Sequence, residues 1–592
     1  MNTRRTAASL ALTALLLASA HAVWSLPRKN EEWIEIKTAS FTLYSNAGTR
    51  NTQRIGANLE RLRSTLLQLT PDLSLSSPYP TSIFVFKNAA ALEPYQRMYK
   101  GRTLKVGGYF LSSANGNYVA INGDPRGDEM GSIYHEYLHY VLRNNYASLP
   151  LWLHEGLAEY YSTFEVSESE AKIGLPVPEH VIWLRKNPAI PLPTLFAIDV
   201  KSPEYNEETR GSFYAQSWAL VHYLLAGSPE RRRQAVEYLD LLQNGSPREE
   251  AFQKAFGDPA LLERDVKNYV QRYAFDFARV PIQSDVALAG EVKPMAWPDV
   301  LYRLGDLLVN VGPEHHAAAA EHFQAALAAK PDHGPAVAGL GEIEERSGRR
   351  DKAQPFYERA AKLAPDDFLV QYLYAQNLLE LDMGRESREK ARAALEKVVA
   401  IRPDFGEAWA RLGYSYNGTD PIPPEALQAL ETAWRLLPSR MDVTHNLAIA
   451  YAQSGQREKA LRLVSRMVAA KDDPHYIENV REALLNDTHR RAEELIGQQK
   501  VEEALPLLEE VRNQTVRPER KAEIERRIAD VREVLEFNRF VDGYNEAVRL
   551  ANVGNHKGAI AILEPLVETT KNPDQARQAQ EMLERLRALG RK

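Results

Sequence analysis

The chain has no cysteine among its 592 residues. That excludes disulfides, thiolate zinc sites, iron–sulfur clusters and cysteine nucleophiles, so any metal site must be built from His, Asp and Glu. Charge of one sign is lacking too. Seventy-three Lys and Arg face 79 Asp and Glu, a net of −6, which gives no reason to expect nucleic acid or an anionic membrane as the main partner. No apolar run reaches the roughly 20 residues a membrane span needs. The run from about Leu10 to Ala18 follows Arg4 and Arg5 and precedes Ala20-His21-Ala22. That is the three-part layout of a secretory signal peptide, here residues 1–22. The expectation is an exported protein, periplasmic or secreted, with no transmembrane segment once the leader is removed. An uncleaved N-terminal anchor is the alternative, and the choice between the general and the twin-arginine export route stays open.

What is present is ordinary globular composition, 44% hydrophobic and 26% charged, in a chain too long for one compact core. Residues 23–280 mix strand and helix signals. "FTLYS" and "TSIFVF" read as strands. Between them Ile55, Leu59, Leu62 and Leu66 share one helix face. "VGGYFL" and "NYVAI" flank a polar turn at Asn115-Gly116, so a hairpin is expected. Residues 281–298, bounded by proline and poor in helix signals, read as a linker. From 299 the pattern changes. Pro331, Pro365, Pro403 and Pro438 are spaced 34, 38 and 35 residues apart, each after an Ala/Leu-rich helix. A period near 34 with small residues at helix crossings resembles the tetratricopeptide repeat. It is clearest over 299–472 and degenerate to residue 592, where 543–567 looks like one more unit. Such stacked helix pairs form an all-α solenoid that binds peptides or proteins.

The chemistry concentrates in "IYHEYLHYVLRNNYASLPLWLHEGLAEYYS". His135 and His139 lie four residues apart, on one face of a helix, where both imidazoles can reach one zinc ion. Glu136 sits about 100° round that helix, placed to take a proton from a metal-bound water. A catalytic zinc needs a third protein ligand. Pro150 marks a second helix start, and Glu155 and Glu159 share one of its faces.

His-Glu-x-x-His followed by Trp152, Glu155, Gly156, Ala158, Glu159 and Tyr160 resembles the gluzincin zinc metallopeptidases, the thermolysin and aminopeptidase-like clan. The resemblance implies an α+β thermolysin-like domain with zinc ligands His135, His139 and Glu155, and Glu136 as general base. It implies that Glu159 fixes the tautomer of a ligand histidine. It also implies that Tyr214, in "RGSFYAQSWALVHYLL", donates to the oxyanion, with Tyr223 and His222 as substitutes. The hairpin before the motif is the expected edge for extended substrate backbone, with Tyr109 and Tyr118 as substrate-binding residues. No G-x-M-E-N segment is present to hold a free amine, which favours an endopeptidase.

The leading expectation is thus an exported zinc endopeptidase whose repeats recruit a protein substrate or partner. The alternative is a non-catalytic repeat scaffold or assembly factor with a vestigial peptidase domain. Cleavage of cell-wall peptides is a third reading, without a wall-binding motif to carry it.

Overall fold

The computed structural model describes residues 26–589 except 72, 74, 76–79, 100–101, 105, 114, 125–129, 147–148, 168, 207–209, 244–245, 283–290, 382–383, 420 and 470–471. The leader expected at 1–22 lies outside the described residues. Among those residues, no helix is long and apolar enough to cross a membrane. The chain forms two compact units, residues 1–447 with 465–471, and residues 448–464 with 472–592.

The first unit is built on a mixed sheet. β1 (Ile34–Lys37) and β2 (Thr42–Ser45) are antiparallel neighbours. The chain then crosses through α1 (Thr49–Leu69) to β3 (Thr81–Phe86), parallel to β2. The expected hairpin forms from β4 (Gly108–Ser113) and β5 (Gly116–Asn122), with β5 parallel to β3 and β4 at the sheet edge. Two helices follow, α2 (Met130–Asn145) and α3 (Leu151–Ser162). Further on come α4 (Pro178–Lys186) and α5 (Arg210–Ala226).

Both faces of this sheet are buried. Leu43, Ile83, Val85, Val119 and Ile121 turn to one side, in one core with Ile55, Leu59, Leu62 and Leu66 of α1 and Ile133 and Tyr137 of α2. Tyr44, Phe84, Phe86, Tyr109 and Tyr118 turn to the other. There they meet Val300, Leu301, Leu304 and Leu308 of α6 (Trp297–Val311) and Phe323 of the next helix, His316–Ala329. "TSIFVF" reads as an unbroken apolar run for this reason: a central strand covered on both sides has no solvent face.

The linker expected at 281–298 is therefore in part structural. β6 (Val292–Pro294) pairs antiparallel with β1, setting Val292 opposite Ile36 and Pro294 opposite Ile34. Ala278–Pro281 pairs with Glu170–Ile173 in a smaller sheet. Residues 283–290 lie outside the described residues. Polar contacts also cross from the sheet layer to the first repeats. Tyr118 Oη donates to Asp306 Oδ1 at 3.2 Å, Asn115 Nδ2 to Glu342 Oε1 at 2.8 Å, and Tyr95 Oη lies 3.2 Å from His322 Nε2. The region is α+β, and its likeness to thermolysin rests on the motif alone.

From α6 onward the first unit is helical, and its C-terminal region carries tetratricopeptide repeats. The helices His316–Ala329, Arg350–Leu363, Arg385–Ile401 and Pro424–Leu436 each end two residues before one of the four periodic prolines. Proline fits there because it cannot continue the helix. The small residues mark close crossings: a Cβ added to Gly339 would fall 2.3 Å from the Phe323 ring.

In the second unit, Pro518–Asn552 runs 35 residues and serves two cores. Ile524, Ile528 and Val531 pack with Leu508 and Val511. Phe540 and Ala547 pack with Leu563 and Leu583. The degenerate unit expected at 543–567 is the end of that helix turning into His556–Thr569.

Two outcomes follow. A fragment ending before Trp297 leaves the Tyr44–Phe84–Tyr118 face bare and is expected to aggregate, whereas a fragment carried through the repeats stays soluble; sedimentation of the two checks this. Burial pushes the His322 imidazole down to about 4. Its contribution to stability is complete above its unfolded value near 6.5 and is lost as pH falls toward 4, by on the order of 3 kcal/mol. His322→Gln should gain on wild type in denaturation midpoint between pH 7 and pH 4.5.

Candidate metal centre

α2 presents one face to the sheet through Ile133, Tyr137 and Val141, and this leaves His135, Glu136 and His139 along its other side. α3 begins after Pro150, as expected, and packs beside α2 and across α5. Gly156 makes the second crossing possible. A Cβ there would lie 2.4 Å from the Ser217 carbonyl oxygen of α5.

These packings bring the three expected ligands together. His135 Nε2 and His139 Nε2 are 3.0 Å apart, and Glu155 Oε2 lies 3.5 Å from the first and 3.2 Å from the second. Donors about 2.0–2.1 Å from a tetrahedral ion stand about 3.3 Å from one another. Glu155 Oε2 is buried and has no hydrogen-bond partner among the described residues, although it is aimed at both imidazoles. An unsatisfied buried carboxylate oxygen is costly unless a cation meets it. The donor set and its spacing fit zinc. Burial pushes the Glu155 carboxyl up, but the His135 and His139 imidazoles beside it outweigh that and hold it well below the usual range.

Glu159 stands behind His135. Its Oε1 is 3.5 Å from His135 Nδ1, and its Oε2 is 3.2 Å from His180 Nε2 on α4. The carboxylate thus lies between two imidazoles, and His135 turns its Nε2 toward Glu155. Glu136 is half-buried and lines a cavity of about 240 Å³ beside His139.

Tyr214 reaches the site from α5, its ring 6.5 Å from that of His135 and stacked on Tyr205 at 6.0 Å. Tyr205 makes the direct contact, its Oη donating to Glu155 Oε1 at 3.0 Å. Neither substitute for Tyr214 is available. His222 is buried between Tyr269 Oη and the Gly174 carbonyl, its imidazole pushed down by burial to about 4. Tyr223 accepts from Arg231 Nε at 3.1 Å and packs on Tyr269.

Tyr109 and Tyr118, expected to bind substrate, turn away from the cavity at Glu136. Tyr109 donates to the Tyr95 carbonyl and Tyr118 to Asp306, both on the buried face toward α6. Strand alternation explains the miss, because a one-residue step reverses the face. Phe110 and Ser112 of β4, one residue over, are the side chains that line the cavity with Glu136.

Three residues at the site were not among the sequence candidates: Tyr205, His180 and His154, whose ring stacks on His139 at 4.6 Å. His154 carried a signal, lying beside Glu155 in the motif. Tyr205 and His180 carried none, since only the packing of their short helices brings them near.

The fold and site define a two-part protein, repeats together with a His/Glu cluster on an α+β layer. Residues 313–376 and 423–483 match the tetratricopeptide repeat family. Residues 129–249, which contain the cluster, match a family described as a protein of unknown function, DUF1570. Superkiller protein 3 of Schizosaccharomyces pombe is 37% identical over 121 residues, 19% of this chain and 8% of that protein. Protein FlbA of Caulobacter vibrioides is 30% identical over 139 residues, 24% of this chain and 22% of that one. The chain thus spans less than a quarter of either relative. Among solved structures, YrrB, "a TPR protein with an unusual peptide-binding site", is 20% identical with a TM-score of 0.27, covering 31% of this chain and 90% of its own. MamA from Desulfovibrio magneticus is 18% identical with a TM-score of 0.25, covering 30% and 96%.

Gly156→Ala is expected to push α3 off α5, cost about 1–3 kcal/mol and misplace Glu155. Chemical denaturation reads the first effect, and metal content after dialysis reads the second.

Proposed function

We propose that this is a partner-binding repeat protein whose α+β layer carries a zinc-dependent peptidase site, in a chain exported from the cytoplasm. The matched repeats support partner binding. The peptidase reading rests on one observation: His135, His139 and Glu155 converge at tetrahedral spacing with a carboxylate, Glu136, beside them on the cavity wall. A purely structural metal site has no use for that neighbour.

His135, His139 and Glu155 would hold the ion, which when bound supplies a Lewis acid for a peptide carbonyl. Glu136 takes the proton of the attacking water and returns it to the leaving amine. Glu159 orients His135. Tyr214, or Tyr205 once released from Glu155, donates to the oxygen on which charge develops. The free edge of β4 offers backbone groups to an extended substrate.

The second reading is a repeat scaffold with a retired metal site. The matched repeats favour it over the hydrolase, because the family matched around the His/Glu cluster has no known function.

Glu136→Gln separates the two. It is expected to keep zinc and to lower cleavage of unstructured peptides by about 10²–10⁴-fold. Wild type that binds zinc yet cuts an extended peptide library no better than Glu136→Gln sinks the hydrolase reading.

A further inference from the structure

The cavity beside Glu136 has two walls from distant parts of the chain. One is β4, at the sheet edge, with Phe110 and Ser112 facing in. The other belongs to the repeats: Leu437, Ser439 and Arg440, in the turn after Pro424–Leu436. This turn is firmly held. Arg440 donates from Nη1 to Glu407 at 2.8 Å and from Nε and Nη2 to the two carboxylate oxygens of Asp442, each at 2.7 Å. Arg466 Nη2 donates to the Pro438 carbonyl. The floor is α2, which contributes Glu136, Tyr140 and Arg143 at helical spacing along one face.

The two arginines of this slot differ. Arg440 is neutralised by Glu407 and Asp442. Arg143 is exposed and has no carboxylate partner among the described residues. A cation in the last turn of a helix suits the dipole, but that would be satisfied on any face. Here the guanidinium lines the slot two turns beyond Glu136. The volume, about 240 Å³, is below the roughly 300–1,000 Å³ of a small-molecule site. It has no room for a folded segment and suits a short stretch of extended chain.

We propose that the slot takes an extended acidic peptide segment, laid along β4 against the repeat turn, and that Arg143 binds a substrate carboxylate as the specificity-determining residue. This rests on the peptidase reading for its consequence, since the bound segment would run past Glu136. A guanidinium–carboxylate pair is bidentate and tolerates no amide isostere well.

The test is fluorescence anisotropy on the full chain with two labelled unstructured peptides, identical except for Asp and Glu in one and Asn and Gln in the other. The acidic peptide should bind wild type and Glu136→Gln about tenfold tighter than its amide twin. Arg143→Gln should erase that difference. Ser439→Trp, which fills the slot from the repeat side, should weaken both peptides while the melting temperature holds. No acidic preference, or a preference that survives Arg143→Gln, overturns the proposal, as does full binding by a folded Ser439→Trp. Cleavage is followed separately: an intact binding preference without cleavage overturns the peptidase reading and leaves the slot standing.

Discussion

Tyr44, Phe84, Phe86 and Tyr118 share one buried core with α6, and the first unit is organised around that burial. A mixed sheet whose second face is aromatic cannot stand alone in solvent. The first repeat helices supply its cover, and β6 adds a strand just before them. The α+β layer and the start of the solenoid are consequently one core, and the chain divides much later, after residue 447. The buried Tyr118–Asp306 and Asn115–Glu342 contacts fix how the layers meet, because an unmatched polar group there costs more than a matched one returns.

That shared core has a consequence for the site. Once the repeats pack on the back of the sheet, their later turns are carried round to the front, and Leu437–Arg440 comes to border the cavity at Glu136. The repeats hold the cleft as well as extending from it. The partner-binding solenoid and the proposed metal-dependent cleft would then be two uses of one framework, and the hydrolase and scaffold readings share every structural element except the chemistry at Glu136.

Within the site, close approach decides the geometry. Gly156 lets α3 touch α5, which sets Glu155 against both imidazoles and brings Tyr214 and Tyr205 to the same side. Glu159 then reaches from His135 to His180. The result is a buried cluster in which one carboxylate oxygen faces two nitrogens and has no hydrogen-bond partner among the described residues, the arrangement a cation would complete.

Local periodicity was enough to place the elements. The i, i+4, i+7 apolar stripe of α1, the hairpin at Asn115-Gly116, the helix start at Pro150 and the proline-closed repeats are all set by short-range backbone preferences, which a sequence displays directly. The His135/His139/Glu155 set was readable for the same reason, as two of its members share a helix turn and the third lies in the next helix. The structure alone decided which way β4 and β5 turn their side chains, so Tyr109 and Tyr118 proved to be core and Phe110 and Ser112 cavity wall. It alone decided that 292–294 is a strand, and that Tyr205, His180 and Arg440 reach the site. Each of these depends on contacts between segments tens to hundreds of residues apart, and no local pattern encodes such contacts.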